Sequence, residues 1–247
     1  MTLMTDLTET PDGTSDSPSA IYLSEYMLDI NEGAGFLNAL SEADRKTVRK
    51  QGTRCLLKKG QGLFFQGDPH TGVWIIESGR IRTFYAGPSG REITLAYWSE
   101  GHFVGGPEVF GRGRHVWSAD AMEDCELLFL SGMSLQQLVR SVPDVAIAVI
   151  QGLVSKGKCY SALIQMLGTR TVSERLRQLL VILADTNGRH EGGTIIIDRT
   201  ITYDQVASIV GATRQWVTQS LDKLQNEGVL SVSRREIVIY RLERLEE

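Results

Sequence analysis

Residues 203–224 read YDQVASIVGATRQWVTQSLDKL, and their spacing predicts two short helices joined by a tight turn. Thr202 and Gln205 form a capping box, in which the hydroxyl satisfies an orphan backbone N–H and the amide reaches back to the cap. Val206, Ile209 and Val210 then share one helical face, with Ala207 small where a second helix must cross. Gly211 supplies a positive-φ turn, which a Cβ disfavours. Thr213 is placed to cap a second helix whose Val217, Leu221 and Leu224 face inward. An Ala, a Gly four residues on and a β-branched residue six further is the spacing of a helix-turn-helix. After Gly228 a hairpin follows, Val229–Val232 and Ile237–Tyr240 around Ser233-Arg234-Arg235-Glu236, which reads as a wing.

In such a motif the N-terminal turn of the second helix enters the major groove. Arg214, Gln215, Thr218 and Gln219 are then the base-reading candidates. A guanidinium fork matches guanine O6/N7, and a glutamine amide suits adenine N6/N7 or a phosphate. Thr202, Thr213, Trp216, Arg234 and Arg235 are candidates for the DNA backbone, the first two because helix N-termini hold phosphates. Trp216 would also suit a thymine methyl or packing under the wing. A helical hairpin inside some other fold is the competing reading of the same spacing.

Upstream, Ala146, Ile150, Leu153, Gly157, Tyr160, Ile164 and Leu167 alternate steps of four and three, the repeat of a coiled-coil seam. The spacing predicts a dimerisation helix over 143–169, although a helix packed on its own domain would show it too. Thr171 and Glu174 form a capping box that opens the next helix, with Leu176, Leu179, Leu180 and Leu183 on one face. Between Arg54 and Leu130 the runs Leu63–Phe65, Val73–Ile76, Ile81–Tyr85, Ile93–Trp98 and Leu127–Leu130 are separated by Gly/Pro turns. Many short strands so punctuated suggest a sandwich or jelly roll. From Ala34 to Lys50, Phe36, Leu37 and Leu40 mark a short helix, with Ser41 and Asp44 restarting a turn. The expected organisation is α+β: tail 1–20, β-roll sensor 21–142, dimerisation helix 143–169 and winged helix-turn-helix 170–247.

Composition argues against a nucleic-acid partner at first sight. The 247 residues carry 26 Lys+Arg and 30 Asp+Glu, a net charge of −4, where such proteins usually show a basic excess. Residues 169–247 hold 11 basic and 11 acidic side chains, so that region is neutral as well. The basic groups at Arg214, Arg234 and Arg235 fall on the reading helix and the wing, which predicts reliance on specific contacts. Met1 to Ala20 has four acids, no Lys or Arg and no apolar segment; it reads as a disordered acidic tail of a cytoplasmic protein, not a signal peptide. No apolar run approaches the roughly 18–20 residues of a membrane helix. Cys55, Cys125 and Cys159 are too few and too scattered for an iron–sulfur cluster, which needs four, or for a disulfide framework.

The ordered motifs resemble the cyclic-AMP receptor / fumarate–nitrate-reduction regulator (CRP/FNR) family of transcription factors. The roll pattern is Lys59-Gly60-x-x-x-Phe64-x-x-Gly67-Asp68, then Ile76-x-x-Gly79-x-Ile81, then Gly101-x-Phe103-x-Gly105; the seam helix, the capped helix and GATRQWVTQSLDKL follow in the family's order. The resemblance spans residues 60–240. It implies a roll of cyclic-nucleotide-binding type and a homodimer on a pseudo-palindromic operator in double-stranded DNA. It also implies an effector that repositions the recognition helices, RNA polymerase as a partner and no catalytic activity. At the family's arginine–glutamate–arginine reading positions stand Arg214, Gln215 and Gln219, so a different half-site is expected.

Cyclic-AMP-binding members carry a Gly-Glu pair followed by Arg-Ser or Arg-Thr. Here residues 105–117 read GGPEVFGRGRHVW. Gly106 holds the glutamate position, with Glu108 displaced by two; Arg112 and Arg114 are present, but His115 and Val116 stand where the hydroxyl residue belongs and the loop is about one residue short. Cyclic-nucleotide binding is therefore not expected. His102 and His115 are eligible axial haem ligands by type, but the family's haem-ligand positions fall near Gly105 and Pro107, so haem is not expected either. Candidate residues for an effector pocket are Trp98, Phe103, Glu108, Arg112, Arg114, His115, Trp117, Tyr160 and Ser161, with core packing as the competing reading of the aromatics. Cys159 is a candidate redox switch or a packing residue. A non-DNA regulatory module and a cupin-like metalloenzyme using His102, Glu108 and His115 are the alternatives; neither needs a capped helix-turn-helix with a wing.

Overall fold

The computed structural model describes residues 35–198 and 201–246, so the expected tail, 1–20, and Ala34 lie outside the described residues. Phe36, Leu37 and Leu40 are buried ahead of α1 (Glu42–Gln51), whose cap Ser41 accepts the Asp44 N–H. Eight strands follow: β1 (Thr53–Leu57), β2 (Gly62–Phe64), β3 (Gly72–Ser78), β4 (Ile81–Ala86), β5 (Glu92–Trp98), β6 (Phe103–Val104), β7 (Ser118–Ala121) and β8 (Cys125–Ser131). They form two antiparallel sheets ordered β1-β8-β3-β6 and β2-β7-β4-β5.

Strand β3 shows why the first sheet reads as a continuous apolar run. Val73 and Ile75 point into one core with Phe36, Leu40, Leu128 and Leu130, while Trp74 and Ile76 join the other, between the sheets, with Phe64, Trp98 and Leu127. A strand covered on both faces loses the polar alternation of a half-exposed one. The strands that sequence reading missed are β1, β6 and β7. The last reads Ser-Ala-Asp-Ala, a composition with little strand propensity.

Ser131 caps α2 (Gly132–Ser141), and Pro143 opens α3 (Pro143–Thr169) at its first turn, where a missing N–H is harmless. Val145, Ala148, Val149, Gly152, Lys156, Cys159 and Met166 bury one face of α3 against the roll. A Cβ on Gly152 would fall 2.3 Å from the Phe103 ring, so only glycine permits this approach. Ile150, Leu153, Gly157 and Ile164 are exposed, whereas Ala146, Tyr160 and Leu167 are half-buried within the protomer. Ile147, Val154 and Ser161 are exposed beside them.

The remaining elements are α4 (Val172–Asn187), β9 (Gly188–Glu191), β10 (Thr194–Asp198), α5 (Tyr203–Val210), α6 (Arg214–Asn226), β11 (Leu230–Val232), β12 (Glu236–Ile239) and α7 (Glu243–Glu246). The capping boxes at Thr171/Glu174 and Thr202/Gln205 both form. The wing is part of a four-stranded sheet, β11-β12-β10-β9. Its β9–β10 hairpin turns at Gly192 and Gly193, both at positive φ, a two-residue signal that the sequence reading passed over.

Candidate nucleic-acid interface and sensor interior

Gly211 ends α5 at φ 67° and ψ 45°, and Thr213 accepts the Trp216 N–H to start α6. Val217, Leu221 and Leu224 are buried on the inner face of α6, each worth roughly 1.5–3 kcal/mol of apolar burial. That fixes the opposite face. Arg214, Gln215 and Gln219 are exposed there, and Thr218 is half-buried with its hydroxyl donating to Arg214 O at 3.1 Å. Thr202 and Thr213 are exposed at the two helix N-termini, and Trp216 is half-buried at the edge of the core. Arg234 and Arg235 are exposed at the wing tip, which is pinned by the Arg235 and Glu236 N–H groups donating to Ser233 Oγ. The Val232 N–H donates to Gln225 Oε1 at 2.9 Å, tying wing to reading helix.

Two features of this site were not read from the sequence. Asp204 lies 3.5 Å from Arg214; acid and arginine ten residues apart give no periodic signal across a turn. The back of α5, Val206–Val210, is buried at every position, because its second face docks on β5, where the Thr94 and Ser208 hydroxyls meet at 2.9 Å.

The effector-pocket candidates fall in several places. Trp98 and Phe103 are buried around Lys156, whose Nζ donates to Phe103 O at 2.6 Å and sits 3.8 Å and 4.7 Å from the two ring centres. Burial pushes this amine down to about 7. Burial also brings the neighbouring His102 to about 4, against the raising effect of its bond to Ser99 O. His115 lies flat on Phe64 (ring centres 3.8 Å apart) and 4.5 Å from His70. Burial, then the His70 charge, lowers it to about 4. Trp117 packs on Tyr160, whose hydroxyl burial raises. Ser161 and Arg114 are exposed, the latter donating to Gly67 O, and Glu108 and Arg112 line a cavity beside α2.

The cassette as built does not fit a cyclic nucleotide. A Cβ on Gly106 would fall 2.4 Å from the His70 ring, and the Gly106 N–H donates to His70 Nε2. A glutamate side chain at this position would have to displace the His70 ring, and His115, near the place of the family's hydroxyl residue in the sequence, is stacked on Phe64. Among the described residues no three His, Cys, Asp or Glu cluster to hold a metal ion.

A β-roll, a long helix and a winged helix-turn-helix in one chain define a transcription regulator with a DNA-binding helix-turn-helix. Residues 54–142 match the cyclic nucleotide-binding domain and residues 174–247 the Crp-like helix-turn-helix domain; the chain belongs to the CRP/FNR family. It is 27% identical over 184 residues to the global nitrogen regulator of Synechocystis, covering 74% of this chain and 82% of the relative. To the CRP-like cAMP-activated global transcriptional regulator of Mycobacterium tuberculosis it is 23% identical over 212 residues, 86% and 95% of the two chains. The fold is shared with the c-di-GMP responsive global regulator CLP of Xanthomonas campestris (TM-score 0.73, 22% identity, covering 81% of this chain and 99% of that one). No helix of the described residues is long and apolar enough to cross a membrane.

Proposed function

We propose that two copies pair along α3 and present their α6 helices to successive major grooves of a pseudo-palindromic operator in double-stranded DNA. Arg214, Gln215, Thr218 and Gln219 read bases, while Thr202, Thr213, Trp216, Arg234 and Arg235 hold the backbone. The observation that carries this is the exposure of Arg214, Gln215 and Gln219 opposite the buried Val217–Leu221–Leu224 face. Pairing is supported by the exposed apolar stripe Ile147, Ile150, Val154 and Ile164 at steps of three, four and ten. The roll then senses a small effector other than a cyclic nucleotide, and a change transmitted through α3 and the β5–α5 contact alters the groove geometry. Such control requires the effector to prefer the DNA-competent arrangement. RNA polymerase is the expected partner in transcription, and no catalytic role is assigned. Sedimentation and footprinting of Ile150→Asp test the pairing: the variant should be monomeric and leave the operator unprotected, whereas a dimer with an intact footprint rejects it.

A further inference from the structure

The loop between β6 and β7 also has an outer face. With the start of α2 it borders an open pocket of about 840 Å³, lined by His70, Glu108, Phe110, Arg112 and Met133 among others, within the size range of small-molecule sites. His70 is 4% exposed, and its Nε2 accepts the Gly106 N–H at 2.6 Å. The neutral ring therefore carries its proton on Nδ1, and Nδ1 has no hydrogen-bond partner. Burial lowers the ring's basicity while the Glu108 charge opposes it, so the two groups lie within electrostatic reach. Glu108 and Arg112 are exposed, and neither side chain has an ion pair or hydrogen bond among the described residues. Phe110 is 42% and Met133 72% exposed. The wall thus combines an anion, a cation and two exposed apolar side chains, with the unsatisfied His70 Nδ1 buried behind it.

We propose that this cavity binds a zwitterionic α-amino acid with an apolar side chain. Its ammonium meets Glu108, its carboxylate meets Arg112, and its side chain covers Phe110 and Met133. Opposite charges left apart on one wall suit a ligand that carries both, and would serve neither a simple anion nor a simple amine as well. Occupancy also has a route inward. The His70 N–H donates to Gly113 O and the His115 N–H to Asp68 O, so the loop that walls the cavity is stapled to the segment beside it and leads directly to His115 in the roll.

Saturation-transfer NMR and calorimetry on the full chain, with L-phenylalanine, 3-phenylpropionate and 2-phenylethylamine as probes, test the site without reference to DNA. L-Phenylalanine should bind, with each single-charge analogue weaker by about tenfold, the loss of one charge-assisted contact. Glu108→Gln and Arg112→Ala should each weaken L-phenylalanine to a similar extent with no change in unfolding midpoint, since both side chains are exposed. No saturation transfer to L-phenylalanine or L-leucine at millimolar concentration overturns the proposal. So does equal binding of 3-phenylpropionate, or binding indifferent to both substitutions.

Discussion

The Arg214 guanidinium, at the first position of the reading helix, lies 3.5 Å from the Asp204 carboxylate in the first turn of the preceding helix. The two side chains are 68% and 69% exposed, so water and salt screen the pair, which is worth at most about 1 kcal/mol. Its effect is to orient the fork and to offset the charge that would otherwise hold any phosphate. Asp204→Asn should tighten random-sequence DNA by about two- to fivefold while improving operator binding less, so the specificity ratio falls. Fluorescence anisotropy on operator and scrambled duplexes reads both.

Arg214 and Arg234 should fail differently. Arg214→Ala is expected to lose about 1–3 kcal/mol of discrimination at one base pair. Arg234→Ala should weaken all sequences alike and flatten the slope of log K against log salt by about 0.9, the loss of one phosphate contact. A panel of single-base operator variants titrated at three salt concentrations separates the two outcomes.

The hydroxyl contact between roll and helix-turn-helix is buried at both ends. Ser208 Oγ also donates to Gln205 O at 2.9 Å, so its single proton is used and Thr94 is the donor to Ser208. Ser208→Ala removes this contact and leaves the Thr94 hydroxyl only its hydrogen bond with Tyr97, which should cost about 0.5–1.5 kcal/mol of stability, and the effect of Ser208→Ala should shrink in a Thr94→Val background. Urea unfolding of the single and double variants measures the coupling, and their operator affinities show whether domain docking reaches the DNA.

Lys156 predicts a pH dependence of definite sign. Its amine is lowered from 10.5 to about 7 in the fold, so between those values the unfolded chain holds the proton and the folded chain does not. The penalty is fully present below pH 7 and is relieved as pH rises toward 10.5, by up to about 1.4 kcal/mol per unit. Lys156→Met should flatten this dependence in urea titrations from pH 7 to 9.5 and leave the variant more stable at pH 7.

Local signals were legible wherever caps and turns decide the backbone. Thr171, Thr202, Gly211 and Thr213 all do what their residue types require, and the long helix is visible from Pro143 onward. What was not legible depends on contacts between distant segments. The face that α3 turns to the roll depends on Gly152 seating on Phe103, 49 positions away, which a heptad count does not contain. The effector candidates were grouped by position near the cassette, yet His115 turns into the aromatic stack while Glu108 and Arg112 turn outward. Lys156 escaped notice because nothing local distinguishes a buried lysine from a solvated one.

Selection of bound sequences from a random duplex pool, at physiological salt and with the full chain, tests paired recognition most directly. The account predicts an inverted repeat whose half-site centres lie about 10–11 base pairs apart or a multiple of that, and an Arg214→Ala pool degenerate at one position in each half. A single unrepeated half-site, or no enrichment over random DNA, would contradict it.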